Sequence, residues 1–143
     1  MNKKDFVNTI IRNKISENNI QEKGIFIISI NDTDSEAYFE NTKSERILNL
    51  KFDDVSKPES GKKPFNESMG EKIIHFLSTI DDNECKTLLI HCMAGQNRSG
   101  SVGKFAADFF KIPHSTLMIA NPFIKGNPIV SRVLNKLYFW SKL

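Results

Sequence analysis

The stretch from Thr87 to Phe110 constrains this chain more than any other. Thr87-Leu88-Leu89-Ile90 has the length and composition of a buried strand. It runs without a break into His91-Cys92 and the glycine-bearing segment Met93-Ala94-Gly95-Gln96-Asn97. From Arg98-Ser99 onward, Val102, Phe105, Ala106 and Phe109 recur at helical spacing until Pro113 stops the pattern. A strand that turns directly into a helix must fold that helix back onto a sheet, so the segment predicts an α/β layer structure.

The rest of the sequence supplies the other layers. Gly24 to Ile30 reads as a buried strand closed by Asn31-Asp32, and Ile47 to Phe52 as a second strand in which Leu48, Leu50 and Phe52 alternate with polar residues. Asn66 is placed to cap a helix whose core face is Met69, Ile73, Phe76, Leu77 and Ile80. Asn127-Pro128 opens a last helix, with Ile129 or Val130, Val133, Leu134, Leu137 and Tyr138 inward. Asp53 to Asn66, with Pro58, Gly61 and Pro64, is a long exposed loop. Two stretches carry mixed signals: the first twenty residues, where Phe6, Ile10, Ile11 and Ile15 share a helical face among several asparagines, and the apolar Leu117 to Ala120. The expectation is one α/β domain over 1–143, with a mostly parallel central sheet flanked by helices.

Totals narrow the function classes. Two cysteines, Cys85 and Cys92, make no disulfide framework in a chain of 143 residues. No apolar run approaches the roughly 20 residues that span a bilayer, and the N-terminus lacks the apolar centre of a signal peptide. A cytoplasmic location without a membrane partner follows as the expectation. The net charge of +3 suits an acidic substrate but decides nothing, and the sequence is silent on oligomeric state.

The loop after the third strand has a chemistry of its own. A turn of this kind gathers backbone N–H groups into a nest for an anion, and the following helix adds its N-terminal donors and partial positive charge. Met93, Ala94, Gly95, Gln96 and Asn97 supply those amides, and Arg98 offers a bidentate clamp for two phosphate oxygens. Such a field also stabilises a thiolate, bringing cysteine from about 8.5 toward roughly 3.5–7.5. Cys92 is therefore the candidate nucleophile for covalent catalysis.

His91-Cys92-Met93-Ala94-Gly95-Gln96-Asn97-Arg98-Ser99 resembles the signature loop of the cysteine-dependent protein tyrosine and dual-specificity phosphatases, His-Cys-x-x-Gly-x-x-Arg-Ser/Thr, at every fixed position. The compact length and the wording of the loop look most like small bacterial or viral dual-specificity enzymes. The resemblance, which extends from about Gly24 onward, implies a dual-specificity-phosphatase-like fold and hydrolysis of phosphate monoesters through a phosphocysteine. It also implies no metal or cofactor, a loop-ordering role for His91, and stabilisation by Ser99 of the thiolate that departs when the phosphocysteine breaks down.

The family takes its general acid from an aspartate upstream of the cysteine. Asp53 and Asp54 follow the second strand directly, and alternation with Phe52 favours Asp54. A phosphotyrosine or phosphoserine/threonine protein is the preferred partner. Asn97-Arg98-Ser99-Gly100 also resembles the ending of RNA 5'-triphosphatases in the same superfamily, so RNA or a small phosphoester stays open, as does a pseudophosphatase that binds phosphate without turnover. A protective disulfide between Cys85 and Cys92 is the minor reading of Cys85; an ordinary half-buried thiol is preferred.

Overall fold

A computed structural model describes residues 1–140. Three strands form an all-parallel sheet among the described residues: β1 (Ile25–Asn31), β2 (Ile47–Lys51) and β3 (Thr87–His91), in the order β2-β1-β3. β1 is central and buried along its whole length, which is why its sequence is apolar on both faces, with Ser29 and Asn31 the polar residues. The helices are α1 (Lys3–Arg12), α2 (Glu67–Ser78), α3 (Arg98–Phe109), α4 (His114–Ala120) and α5 (Pro128–Tyr138).

The pleat divides the apolar residues between two cores. Phe26, Ile28, Ile30, Leu50 and Phe52 face α2, α3 and α5, where they meet Ile73, Leu77, Val102, Phe105, Val130 and Leu134. Ile25, Ile27 and Ile47 face the other way, onto Phe6 and Ile10 of α1 and the following Ile15 and Ile20. The ambiguous N-terminus thus resolves as a helix through burial: Phe6 and Ile10 are almost wholly covered, each contributing about 2 kcal/mol of burial. Asn2 caps it by accepting from Asp5 N at 2.7 Å. Ile11, expected on the same face, is 62% exposed.

Asn66 caps α2 by accepting from Met69 N, and Asn127 caps α5 by accepting from Ile129 N and Val130 N. The uncertain stretch before Asn121 forms α4, none of whose residues is buried. Its first residue, His114, pairs with Asp108 of α3 at 2.7 Å. Among the described residues no helix is long and apolar enough to cross a membrane.

Because all three strands are parallel, their C-terminal ends lie on one side of the sheet. That side collects Asn31-Asp32 after β1, Phe52-Asp53-Asp54 after β2, and Cys92 after β3. In open α/β sheets this is where a ligand crevice forms.

Candidate active site

The loop between β3 and α3 curls around a sulfur. Cys92 is 2% exposed; its thiol donates to Ser99 Oγ at 3.1 Å and accepts from Gly95 N at 3.3 Å. Ionisation of the thiol reverses the first bond, so that the Ser99 hydroxyl and the Gly95 amide both donate to the sulfur. Gly95 has φ +71°, and a Cβ there would lie 2.5 Å from Asn2 N and 2.6 Å from the Met1 carbonyl carbon. Two demands meet at this glycine, a left-handed backbone and the close passage of another chain segment.

That segment is the N-terminal strap, which the sequence did not single out. Met1 N donates to the Ile90 carbonyl at 2.8 Å, Cys92 N donates to the Met1 carbonyl at 3.2 Å, and Lys3 N donates to the Met93 carbonyl at 3.1 Å. The strap therefore extends the outer edge of β3 at the point where the strand becomes the loop. On the other flank, Lys125 N donates to the Gln96 carbonyl at 2.8 Å, and the Lys125 carbonyl comes so near α3 that only Gly100 fits beneath it.

His91 is 1% exposed and stacks on Phe6 of α1, with ring centroids 4.1 Å apart. Its Nδ1 lies 3.3 Å from the Cys92 carbonyl and its Nε2 2.6 Å from Ser29 Oγ. A carbonyl only accepts, so Nδ1 carries the hydrogen; the neutral ring then accepts at Nε2 from the Ser29 hydroxyl. Ser29 Oγ in turn accepts from Asn31 Nδ2 at 3.1 Å. Burial holds the His91 pKa down at about 4, against the opposing effect of its bond to the Cys92 carbonyl.

Arg98 is 4% exposed at the first position of α3. Its Nη1 donates to Asp32 Oδ1 at 2.7 Å and to the Phe52 carbonyl at 2.8 Å, while its buried Nε has no hydrogen-bond partner among the described residues.

The two candidate acids have different surroundings. The Asp53 carboxylate accepts from Thr33 N, Thr33 Oγ1 and Lys63 N at 2.8–3.2 Å, and these bonds, the one from Lys63 first, hold its pKa below the usual carboxylate range. Asp54 is exposed. Its Oδ2 accepts from Asn97 Nδ2 and its Oδ1 from Asn127 Nδ2, both at 2.9 Å. Asn97 is thus turned away from capping α3 and toward Asp54. Strand alternation with Phe52 does not separate the two residues. β2 ends at Lys51, so strand phase does not reach the pair, and Asp53, not Asp54, is the buried residue.

Asn127 had shown itself in the sequence only as a cap. Its amide also donates to the Val55 carbonyl, so one buried residue joins the segment after β2 to the start of α5. Met93 and Ala94 are exposed at the lip of the cysteine loop. Beside it lies a cleft of about 490 Å³ lined by Asp32, Asp34, Asp53, Asp54 and Glu59, with Lys62 the one basic side chain. Cys85 lies before β3 and Cys92 after it. The five-residue strand between them spans roughly 15 Å, beyond the 7 Å Cα limit of a disulfide within the chain.

No protein-family model and no curated protein sequence matches the chain. Solved structures do. The human tyrosine phosphatase-like serine/threonine/tyrosine-interacting protein superposes with a TM-score of 0.56 at 18% identity, over 87% of this chain and 83% of that one. Tk-PTP, solved in its active form, superposes with a TM-score of 0.50 at 21% identity, over 85% of each chain. At these identities the likeness is one of fold: an α/β sandwich of the tyrosine and dual-specificity phosphatase type.

Proposed function

We propose that this protein hydrolyses phosphate monoesters through a phosphocysteine formed on Cys92. The carrying observation is the loop of residues 92–98. With Ser99 just after it, it holds the Gly95 amide and the Ser99 hydroxyl within hydrogen-bond distance of one sulfur, and the buried Arg98 that ends it retains an unpartnered Nε–H. The fold shared with Tk-PTP supports the same reading.

In the first step the Cys92 thiolate attacks phosphorus, a P–S bond forms, and the P–O bond to the leaving group breaks. Asp54 delivers the proton that the departing oxygen needs, after Asn97 releases one of its carboxyl oxygens. In the second step Asp54 removes a proton from water as its oxygen attacks phosphorus. The P–S bond then breaks, and Ser99 donates to the thiolate that leaves. The amides of Met93, Ala94, Gly95, Gln96 and Asn97, with Arg98, stabilise the charge that develops on the phosphoryl oxygens.

A phosphorylated protein of the tyrosine or serine/threonine kind is the preferred substrate, in a small cytoplasmic enzyme of the bacterial or viral dual-specificity type. The acidic cleft beside the loop supports a peptide over RNA, because four aspartates and a glutamate repel a polyphosphate backbone.

The test compares para-nitrophenyl phosphate, a phosphotyrosine peptide, a phosphothreonine peptide and 5'-triphosphorylated RNA under identical conditions, with wild type and Cys92→Ser. Turnover is expected on the aryl phosphate and on at least one peptide, and Cys92→Ser is expected to abolish it while still binding phosphate competitively. Unchanged turnover in that variant removes Cys92 from the mechanism. Phosphopeptide binding without turnover in the wild type replaces the enzyme with a binding module.

A further inference from the structure

The guanidinium of Arg98 has one end already spoken for. Nη1 carries two hydrogens, and both are used, one on the Asp32 carboxylate at 2.7 Å and one on the Phe52 carbonyl at 2.8 Å. The two acceptors come from the ends of different strands, so together they fix the plane of the group and not merely its position. What remains is the edge formed by Nε and Nη2, a pair of parallel N–H groups whose spacing matches two oxygens of a phosphate. Nε is buried and without a partner among the described residues, although the side chain is 96% covered. A buried guanidinium N–H left without an acceptor is costly unless it serves a ligand.

We propose that Asp32 is a positioning residue for phosphate, holding Nη1 of Arg98 so that the Nε–Nη2 edge is aimed into the loop above Cys92. This rests on the phosphatase reading and specifies how its arginine is oriented. Asp32 touches neither substrate nor sulfur in this role; it acts through Arg98.

Electrostatics gives the proposal a sign that a bystander could not share. A carboxylate beside an anion site repels the anion, so removing an idle Asp32 tightens phosphate binding. Removing a carboxylate that aims the guanidinium loosens it. The experiment measures inorganic phosphate as a competitive inhibitor of para-nitrophenyl phosphate hydrolysis in wild type, Asp32→Ala, Asp32→Asn and Asp34→Ala. Asp34 is exposed on the same loop, and the hydrogen bonds and ion pair of Arg98 go to Asp32 and Phe52 instead, so its variant reports the loss of one nearby charge alone.

Asp32→Ala is expected to raise the phosphate inhibition constant and the substrate KM about ten-fold or more, with Asp32→Asn between it and wild type, since the amide oxygen still accepts one hydrogen bond. Asp34→Ala is expected to bind phosphate as wild type does or slightly more tightly. An inhibition constant does not depend on how much enzyme is folded, so general destabilisation does not imitate this result. Phosphate bound by Asp32→Ala as tightly as by wild type, or more tightly, overturns the proposal. Should Asp32→Ala not fold, Asp32→Asn decides by the same criterion. If the wild type shows no turnover, the phosphatase reading fails by itself, and calorimetric phosphate affinities of the same variants still decide the role of Asp32.

Discussion

His91 makes the stability of this protein depend on pH in a window where few other groups titrate. In the unfolded chain its imidazole titrates near 6.5, while in the folded state burial lowers that to about 4. Between these values the unfolded chain binds the extra proton, so stability is whole above pH 6.5 and is lost as the pH falls toward 4. A difference of that size corresponds to about 3 kcal/mol in full, of which about 2 kcal/mol is gone by pH 5. The structural cause is specific. Nε2 accepts from Ser29, and a protonated ring has to donate there instead, against a hydroxyl 2.6 Å away that already receives Asn31 Nδ2.

The assay is urea unfolding at pH 7, 6, 5 and 4.5 for wild type and His91→Gln. With a urea slope of about 1–3 kcal/mol per molar, the wild-type midpoint should fall by roughly 0.6–2 M between pH 7 and pH 5. His91→Gln is expected to be less stable throughout, since it loses the stack on Phe6, but flatter over the same interval. Carboxylates that titrate at the lower end are common to both proteins and cancel in the difference. Parallel pH profiles for the two proteins would refute the reasoning, because the ring would then not be the proton acceptor.

Four further outcomes follow from the site. Asp54→Asn should slow hydrolysis of substrates with poor leaving groups by about 10²–10⁴-fold and that of activated aryl phosphates far less, measured as a leaving-group dependence of kcat/KM. Asp53→Asn should instead cost about 1–3 kcal/mol in urea unfolding, because an amide turns a donor toward Thr33 or Lys63; the opposite pattern interchanges the two residues. Ser99→Ala should leave the first step intact and slow phosphocysteine breakdown roughly 10–100-fold, seen as a burst followed by a lower steady rate. Gly95→Ala should cost roughly 3 kcal/mol, from the left-handed backbone and the displaced strap, and unaltered thermal unfolding would show that the strap does not pack as described.

Much of the architecture was legible because its signals are local. The β1 and β3 runs, the asparagine caps of α2 and α5, and the strand-to-helix turn at Cys92 each declare themselves within a few residues. α1 was not legible, since its asparagines argue against a helix and only the far side of the sheet, through Ile27 and Ile47, supplies the reason to form one. α4 escaped for the opposite reason: its apolar residues bury nothing fully, so no periodic face was selected. The strap from Met1 to Lys3 works through backbone atoms, which sequence does not distinguish.

The pair Asp53-Asp54 shows where the remaining information lies. Two identical side chains on adjacent residues offer a sequence reader only strand phase, and that phase expires at Lys51. What separates them is the chain brought near by the parallel sheet. The turn after β1 offers Thr33 to Asp53, and residue Lys63 of the same loop returns a backbone N–H to it. Asp53 is thereby consumed as the clip of the loop that follows β2. Asp54, one residue on, is carried outward to the amides of Asn97 and Asn127. The same geometry gives Asp32 to Arg98 across 66 residues of sequence, a pairing that no local pattern announces. The candidate nucleophile and its loop are written in a contiguous segment, whereas the partners of Arg98 and Asp54 exist only once three parallel strands have brought their C-terminal ends together.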